Sequence, residues 1–281
     1  MQKILLFIGC IAVSLCVNAK QNILIYTGPG AGPKSIANTL LMLQTLVADH
    51  YTIKTVGPEE IIGTAWLNNT NLLVIPGGAD RPYLEKLRGK GNKNIRNYVQ
   101  NGGKLLGICA GAYYASDRLE FDKGGPLEVT GERELKFFPG LVQGPTYVGF
   151  DYNDVQSVNG MRAAKIYWQN DMAFAPQRDF FVFYNGGGHF VDAENYPNVI
   201  VLARYSSEIL DKPNQQPAAI VECSVGKGKA ILSGPHFEWD PSSIGVEPQQ
   251  MNAIKTKLIA ENANRIELAK HLLARLDIEI K

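Results

Sequence analysis

The sequence has almost no excess of charge of either sign. Lysine and arginine together number 28, and aspartate and glutamate number 27, so the formal net charge at pH 7 is +1. Proteins that bind nucleic acid or anionic membranes electrostatically need a basic surplus. We therefore expect neither as a partner. The remaining composition, with 45% hydrophobic residues, is that of an ordinary globular protein.

Long hydrophobic runs are also lacking, except at the N-terminus. An apolar stretch over residues 4–17 follows Lys3, and Val17-Asn18-Ala19 ends it with a sequence suited to cleavage. The stretch is shorter than the roughly 20 residues that a membrane-spanning helix needs. We expect residues 1–19 to be a secretory signal peptide rather than a retained anchor. Residues 20–281 would then be one exported domain, periplasmic or secreted, without stable membrane insertion.

Cysteine and histidine are scarce, with four of each in the whole chain. Loss of the signal peptide leaves only Cys109 and Cys223. Because the histidines lack ligand spacing and no CxxC pair is present, we predict no metal site and no cofactor. Two cysteines in an exported protein can form one disulfide, and this is the alternative to a catalytic role for Cys109.

Short apolar runs alternate with amphipathic helices in the first part of the predicted mature chain. The predicted strands are 22–26, 51–56, 71–75 and 104–108. This alternation is typical of a parallel sheet with helices on both faces. Ligands of such sheets bind at the carboxyl ends of the strands. We therefore predict an α/β fold, with a mostly parallel doubly wound sheet.

The pattern changes between residues 119 and 205, where strand-like segments are separated by loops rich in Gly, Asn, Asp and Pro. We interpret this region as a β-rich extension of the same domain. A hairpin is predicted across Gly226-Lys227-Gly228. A closing helix is predicted over residues 247–276, with a break.

Cys109 follows the last of these predicted strands, within Gly107-Ile108-Cys109-Ala110-Gly111. Glycines two residues before and after allow the sharp turn of a nucleophile elbow. A thiol at a helix N-terminus is favoured as thiolate, which is the attacking species. The alternative is a tight strand-to-helix turn that carries a small buried cysteine.

His236 and Glu238 are the candidate base and its orienting carboxylate. They lie in a loop after a predicted strand, and in extended backbone the carboxylate can reach the imidazole two residues away. An ordinary loop histidine is the alternative. His50 and His271 belong to predicted helical regions, where capping or solvated roles are expected.

Two further segments fit the same site. The N–H groups of Gly77 and Gly78, which follow a neighbouring strand, could form an oxyanion hole with that of Ala110. The glycine-rich segment after Tyr184 could form one wall of a substrate cleft, with Asn185 or His189 touching the ligand. Its alternative is a simple hairpin.

Five stretches of the chain resemble class I glutamine amidotransferases. The resemblance is closer to the amidotransferase-like domain at the N-terminus of biotin-protein ligases. The stretches are Ile25–Gly30, Val74–Tyr83, Gly107–Tyr113, Tyr184–Gly188 and Gly226–Glu238.

This resemblance implies the amidotransferase fold, with Cys109 as nucleophile, His236 as general base and then acid, and Glu238 as the orienting residue. It implies an oxyanion hole formed by the amides of Gly77, Gly78 and Ala110. We also assign Tyr113, in the third matching stretch, to the substrate cleft.

Two features depart from the family pattern. Phe237 replaces the proline of the common His-Pro-Glu triplet, which should alter the rigidity of the loop more than its chemistry. Only about 40 residues follow Glu238, fewer than a biotin-ligase catalytic domain needs, so we expect no biotin ligation by this chain.

Three functions remain open from the sequence. The first is a cysteine-dependent amide hydrolase or amidotransferase that acts on a small-molecule or peptide amide. The second is a non-catalytic ligand- or partner-binding module that retains the fold. The third is a redox role for Cys109, or a structural disulfide between Cys109 and Cys223.

Overall fold

The computed structural model describes residues 21–147, 149, 160–169, 179–206, 216–246 and 249–281. The predicted signal peptide lies outside these residues. Within them, no helix is long and apolar enough to cross a membrane.

Strands and helices alternate in the first part of the chain, as the apolar pattern predicts. The elements are β1 (Asn22–Tyr26), α1 (Pro33–Leu46), β2 (Thr52–Val56), α2 (Pro58–Ile62), β3 (Thr70–Ile75), α3 (Asp80–Leu87), α4 (Lys90–Gln100), β4 (Lys104–Ile108) and α5 (Ala110–Tyr114).

Strands predominate in the next part, and two helices close the chain. The elements are β5 (Ser116–Phe121), β6 (Val129–Glu132), β7 (Phe138–Gly144), β8 (Met161–Trp168), β9 (Asp179–Asn185), β10 (His189–Phe190), β11 (Val199–Tyr205), β12 (Ala218–Val225), β13 (Gly228–Ser233), α6 (Gln249–Ala260) and α7 (Asn262–Arg275).

One sheet connects the described strands. Its parallel part has the order β2-β1-β3-β4-β13, and from β12 onwards the β-rich extension continues the sheet with mainly antiparallel pairs. The β12–β13 hairpin pairs Val225 with Gly228, as predicted. The predicted fold class, an α/β protein with a parallel sheet and a β-rich extension, is confirmed.

Both faces of the parallel part are buried. In β1, the side chains of Ile23 and Ile25 belong to one hydrophobic core, and those of Leu24 and Tyr26 belong to the other. Successive side chains of a strand point to opposite faces, so this division shows that each face has its own core. Helices α1 and α7 cover the first face, and α2, α3, α4 and α5 cover the second.

The predicted closing helix is broken at Glu261, between α6 and α7. Leu258 of α6 packs with Phe183 and Trp239 in a small third core. Leu273 of α7 belongs to the main core on the first face. The break therefore allows two consecutive helices to cover different parts of the sheet.

Candidate active site

Cys109 lies at the sharp turn between β4 and α5. Its backbone has φ 51° and ψ −108°, a conformation that residues other than glycine rarely adopt. Its N–H donates to the carbonyl oxygen of Ser233, at the end of β13, over 2.7 Å. A Cβ atom on Gly111 would lie 2.1 Å from the carbonyl oxygen of Ile75. Glycine is therefore required after the cysteine because α5 packs directly against the end of β3.

His236 and Glu238 form a buried pair. Nδ1 of His236 lies 2.7 Å from Oε1 of Glu238, and the two residues are 5% and 1% exposed. The N–H of His236 donates to the carbonyl oxygen of Phe183 over 2.8 Å, which holds the loop against β9. The side chain of Phe237, at the position where the family commonly has proline, is completely buried in the main core.

The electrostatics of this pair favour the imidazolium form of His236. Burial by itself would lower the pKa of His236, because it disfavours the charged form. The charges of Glu238 and Cys109, together with hydrogen bonds to both side chains, outweigh this effect and raise the pKa to about 10. The candidate nucleophile and the carboxylate therefore both contribute to the raised pKa of His236.

The turn after β3 passes next to the same imidazole. A Cβ atom on Gly77 would lie 2.4 Å from Cε1 of His236 and 3.3 Å from Cβ of Cys109. The N–H of Gly77 donates to Oγ of Ser35 over 2.9 Å, so it is already engaged. Within the described part of the chain, no hydrogen bond is formed by the N–H of Gly78 or Ala110. Of the three amides assigned to an oxyanion hole, only these two are available.

Ser35 is a residue of this site that the sequence interpretation missed. It is 4% exposed and lies in the first turn of α1, where its Oγ donates to Oε1 of Glu238 over 2.8 Å. It lies 203 residues from Glu238 in the sequence. The sequence feature that could have identified Ser35 was its position at the start of the helix that follows β1. The carboxyl end of β1 lies at the same edge of the sheet as those of β3, β4 and β13.

The backbone of Asn185 contacts the thiol. Its carbonyl oxygen lies 3.6 Å from Sγ of Cys109. The carbonyl oxygens of the next three residues each accept a hydrogen bond from a tyrosine hydroxyl. The pairs are Tyr113 with Gly186 at 3.1 Å, Tyr184 with Gly187 at 2.8 Å, and Tyr205 with Gly188 at 3.1 Å. We call residues 186–188 the glycine strap. It is buried, and three tyrosines from separate elements hold it in place.

A small cavity of about 150 Å³ adjoins Cys109. Gly78 and Ala110 lie on its wall beside Tyr113, and Asp80 and Arg81 also line it. This volume is that of about five water molecules. Asp80 is paired with the buried Arg133, whose Nε and Nη2 both lie 2.6 Å from Oδ2. The cavity can hold a small group at the thiol, next to the two available amides.

None of the four histidines, His236 included, is among the residues that line this cavity. His189 lies on β10, with Nδ1 3.3 Å from Oγ1 of Thr146. His50 follows α1 and lies 3.9 Å from Glu279. His271 lies on α7, with its ring packed edge-to-face against Trp168. The structure therefore places Tyr113 on the cavity wall and the carbonyl group of Asn185 against Sγ of Cys109, whereas His189 lies beside Thr146.

The sequence profile of the family described as "Biotin-protein ligase, N terminal" matches residues 21–281. The chain belongs to this family. The resemblance inferred from the five motif stretches is thereby confirmed. The chain is 34% identical over 261 residues to the biotin-protein ligase of Schizosaccharomyces pombe, a match that covers 92% of this chain and 38% of the ligase. It therefore spans well under half of that relative.

A second relative in this comparison is an uncharacterized protein of Chlamydia muridarum. It is 35% identical over 259 residues, and the match covers 91% of this chain and 95% of that protein. Among solved structures, a glutamine amidotransferase has a TM-score of 0.54 and 16% identity, over 91% of this chain and 100% of that one. The chain therefore shares the fold of a glutamine amidotransferase.

Both cysteines that follow the predicted signal peptide are free and buried in this member of the biotin-protein ligase N-terminal family. Cys223 lies within β12, paired with Ala230 of β13 and Val199 of β11. Burial raises the pKa of the Cys223 thiol, and the charge of Glu222 raises it further. Cys223 is therefore a packed core thiol, whereas Cys109 borders the cavity.

Proposed function

We propose that this protein is a cysteine-dependent enzyme that hydrolyses an amide or transfers its acyl or amino group. The observation that carries the proposal is the contact between His236 and Glu238 at 2.7 Å, with the imidazole also interacting with Cys109 on its strand-to-helix turn. A nucleophile, a base and an orienting carboxylate in this order are the elements of a triad. The substrate class is a small-molecule or peptide amide.

In the proposed reaction, the Cys109 thiol proton already resides on Nε2 of His236, in the imidazolium form that the neighbouring charges favour. Sγ then forms a bond to the carbonyl carbon, and the N–H groups of Gly78 and Ala110 stabilise the negative oxygen. The carbon–nitrogen bond breaks as His236 gives its proton to the leaving nitrogen. Water, deprotonated by the same imidazole, attacks the thioester carbon, and Sγ leaves as the thiolate beside the reprotonated imidazole. Glu238 keeps Nδ1 protonated throughout, so that Nε2 faces the reaction.

The volume of the cavity restricts which acyl groups can reach Cys109. About 150 Å³ beside a thiol that is 6% exposed admits a carboxamide side chain or a chain end. Larger parts of a substrate would remain outside, near the exposed side chain of Arg81.

One observation favours a second candidate, a binding module without turnover. The thiol is nearly enclosed, and its Sγ lies against the carbonyl oxygen of Asn185. A ligand would then occupy the cavity without being cleaved. In this case binding would persist in a Cys109→Ala variant and no product would form from any amide.

We further propose that the protein is exported after cleavage of residues 1–19 and that it does not ligate biotin. The apolar N-terminal stretch supports the first point. The second rests on the fold of the described residues, which is that of a glutamine amidotransferase. N-terminal sequencing of the protein from an extracytoplasmic fraction tests export. A biotin-transfer assay of the full chain tests the absence of ligation.

The decisive experiment measures ammonia release from glutamine and from amidated peptides, together with covalent capture of an electrophilic glutamine analogue. We expect capture of one equivalent, at Cys109, and its complete loss in Cys109→Ala. Cys223→Ala is the matched control and should retain capture. Capture that survives in Cys109→Ala would contradict the proposal, because it would identify a different nucleophile.

A further inference from the structure

Ser35 connects two parts of the site that share no other hydrogen bond among the residues that the structure describes. Its Oγ accepts from the N–H of Gly77 over 2.9 Å and donates to Oε1 of Glu238 over 2.8 Å. Both partners are buried, and Ser35 itself is 4% exposed. The serine therefore joins the turn after β3 to the carboxylate behind His236.

The carboxylate of Glu238 depends on this serine for its orientation. Oε1 receives both of its hydrogen bonds, one from His236 and one from Ser35. Oε2 is buried, and within the described part of the chain it has no hydrogen-bond partner. Without Ser35, the carboxylate would be held by hydrogen bonding only to the imidazole that it is meant to orient.

The charged groups near Glu238 do not replace this contact. Arg265 interacts electrostatically with Glu238 and Asp240, but its guanidinium donates to the carbonyl oxygen of Phe237 and to Oδ1 of Asn262. A hydroxyl group that already accepts an N–H bond is also a stronger donor, because chains of hydrogen bonds polarise one another.

We propose that Ser35 is a positioning residue of this active site, which orients Glu238 towards His236 and fixes the Gly77 turn beside them. The assignment rests on the proposed function, because it gives Ser35 a role in activating Cys109. Ser35 does not line the cavity, and its side-chain hydrogen bonds go to Glu238 and Gly77, so its effect on chemistry passes through these two residues.

The test compares Ser35→Ala with Ser35→Thr, which retains a hydroxyl group. Ser116→Ala is the matched control, because Ser116 is also buried but its Oγ donates to the carbonyl oxygen of Ala112, within the local backbone. Each variant is measured in three ways. These are the titration of the His236 ring by NMR, the hydrogen exchange of the Gly77 amide, and the rate of Cys109 alkylation by iodoacetamide, followed by intact mass.

We expect Ser35→Ala to lower the pKa of His236 from about 10 towards its ordinary value, to speed exchange of the Gly77 amide, and to slow alkylation about tenfold. Ser35→Thr should restore most of each property, and Ser116→Ala should match the unmodified protein. A purely structural serine would change thermal stability without moving the His236 titration. An unchanged titration and alkylation rate in folded Ser35→Ala would overturn the proposal.

Two measurements on the unmodified protein keep the two proposals separate. A thiol at Cys109 that reacts with iodoacetamide no faster than free glutathione would contradict the proposed function. If Ser35→Ala does not fold, the hydroxyl proton of Ser35 in the unmodified protein is observed directly. It should exchange slowly and show a nuclear Overhauser effect to the Gly77 amide, and its absence would contradict the role of Ser35.

Discussion

Gly77 and His236 are packed so closely that the imidazole occupies the space where a side chain of residue 77 would lie. A Cβ atom on Gly77 would be 2.4 Å from Cε1 and 3.3 Å from Nε2 of His236. Real Cβ atoms do not approach other heavy atoms to 2.4 Å. The absence of a side chain at this position is therefore a condition for the position of the candidate base.

Gly77→Ala should displace the imidazole and remove covalent capture by Cys109, while the protein remains folded. We expect a loss of roughly 1–3 kcal/mol in the free energy of unfolding, as for other overpacked sites. The measurements are capture by mass spectrometry and urea denaturation. Gly57→Ala is the control, because its new Cβ would meet the ends of the flexible Glu60 and Glu59 side chains, at 3.0 and 3.5 Å. Full capture by Gly77→Ala would show that His236 is not needed.

The backbone of Cys109 provides a second prediction. Its φ of 51° is unfavourable for any residue with a Cβ atom, whereas glycine adopts such values without penalty. We expect the free energy of unfolding in urea to be about 1 kcal/mol higher for Cys109→Gly than for Cys109→Ala. Both variants should be inactive. Equal stability of the two variants would show that the turn carries no strain.

The strands of the parallel sheet and the elbow were predictable because their signals are local. The run at 104–108 is continuous and apolar, and Gly107 and Gly111 flank the cysteine in the sequence itself. The pairing of His236 with Glu238 was also predictable, since only Phe237 separates them in the sequence. Each of these features depends on neighbours within a few residues.

Ser35 and the support of the glycine strap were not predictable, because they depend on residues that only the fold brings together. Tyr113, Tyr184 and Tyr205 come from α5, β9 and β11, yet their hydroxyl groups bind three consecutive carbonyl groups. Their side chains read as ordinary buried aromatics in the sequence. The use of the Gly77 amide by Ser35 was missed for the same reason, and it removes one of three expected oxyanion donors.

The strap supports a third prediction, for Tyr205→Phe. Loss of the hydroxyl group leaves the carbonyl oxygen of Gly188 without this buried donor, which should cost roughly 1–3 kcal/mol of unfolding free energy. We also expect slower alkylation of Cys109, because the strap begins directly after the carbonyl group of Asn185 that contacts Sγ. Urea denaturation and iodoacetamide kinetics measure the two effects.

Tyr98→Phe is the matched control for this variant. Tyr98 is 6% exposed, and its hydroxyl group bonds to the backbone of Lys104, at the opposite end of β4 from Cys109. Tyr98→Phe should lower the free energy of unfolding without changing the rate of Cys109 alkylation. Equal alkylation rates in Tyr205→Phe and the unmodified protein would show that the strap does not control the thiol.

His271 makes the folded protein less stable in acid. Burial and the charge of Arg275 lower the pKa of its imidazole to about 4, and Nε2 is buried with no hydrogen-bond partner among the described residues. The unfolded chain, with an ordinary histidine pKa near 6.5, therefore binds a proton that the folded chain does not bind between these values. Stability should fall as the pH falls from about 6.5 to 4.

The size of this effect is roughly 1–2 kcal/mol, after a reduction for the partial solvent exposure of His271. The measurement is the free energy of unfolding at pH 7 and pH 4.5, in the unmodified protein and in His271→Gln. Because the carboxylates titrate in both proteins, the difference between the two losses of unfolding free energy is the contribution of His271. His236 does not contribute in this window, because its raised pKa makes its stabilisation complete below about 6.5 and lost only towards pH 10. An equal loss in both proteins would show that His271 is not the acid-sensitive group.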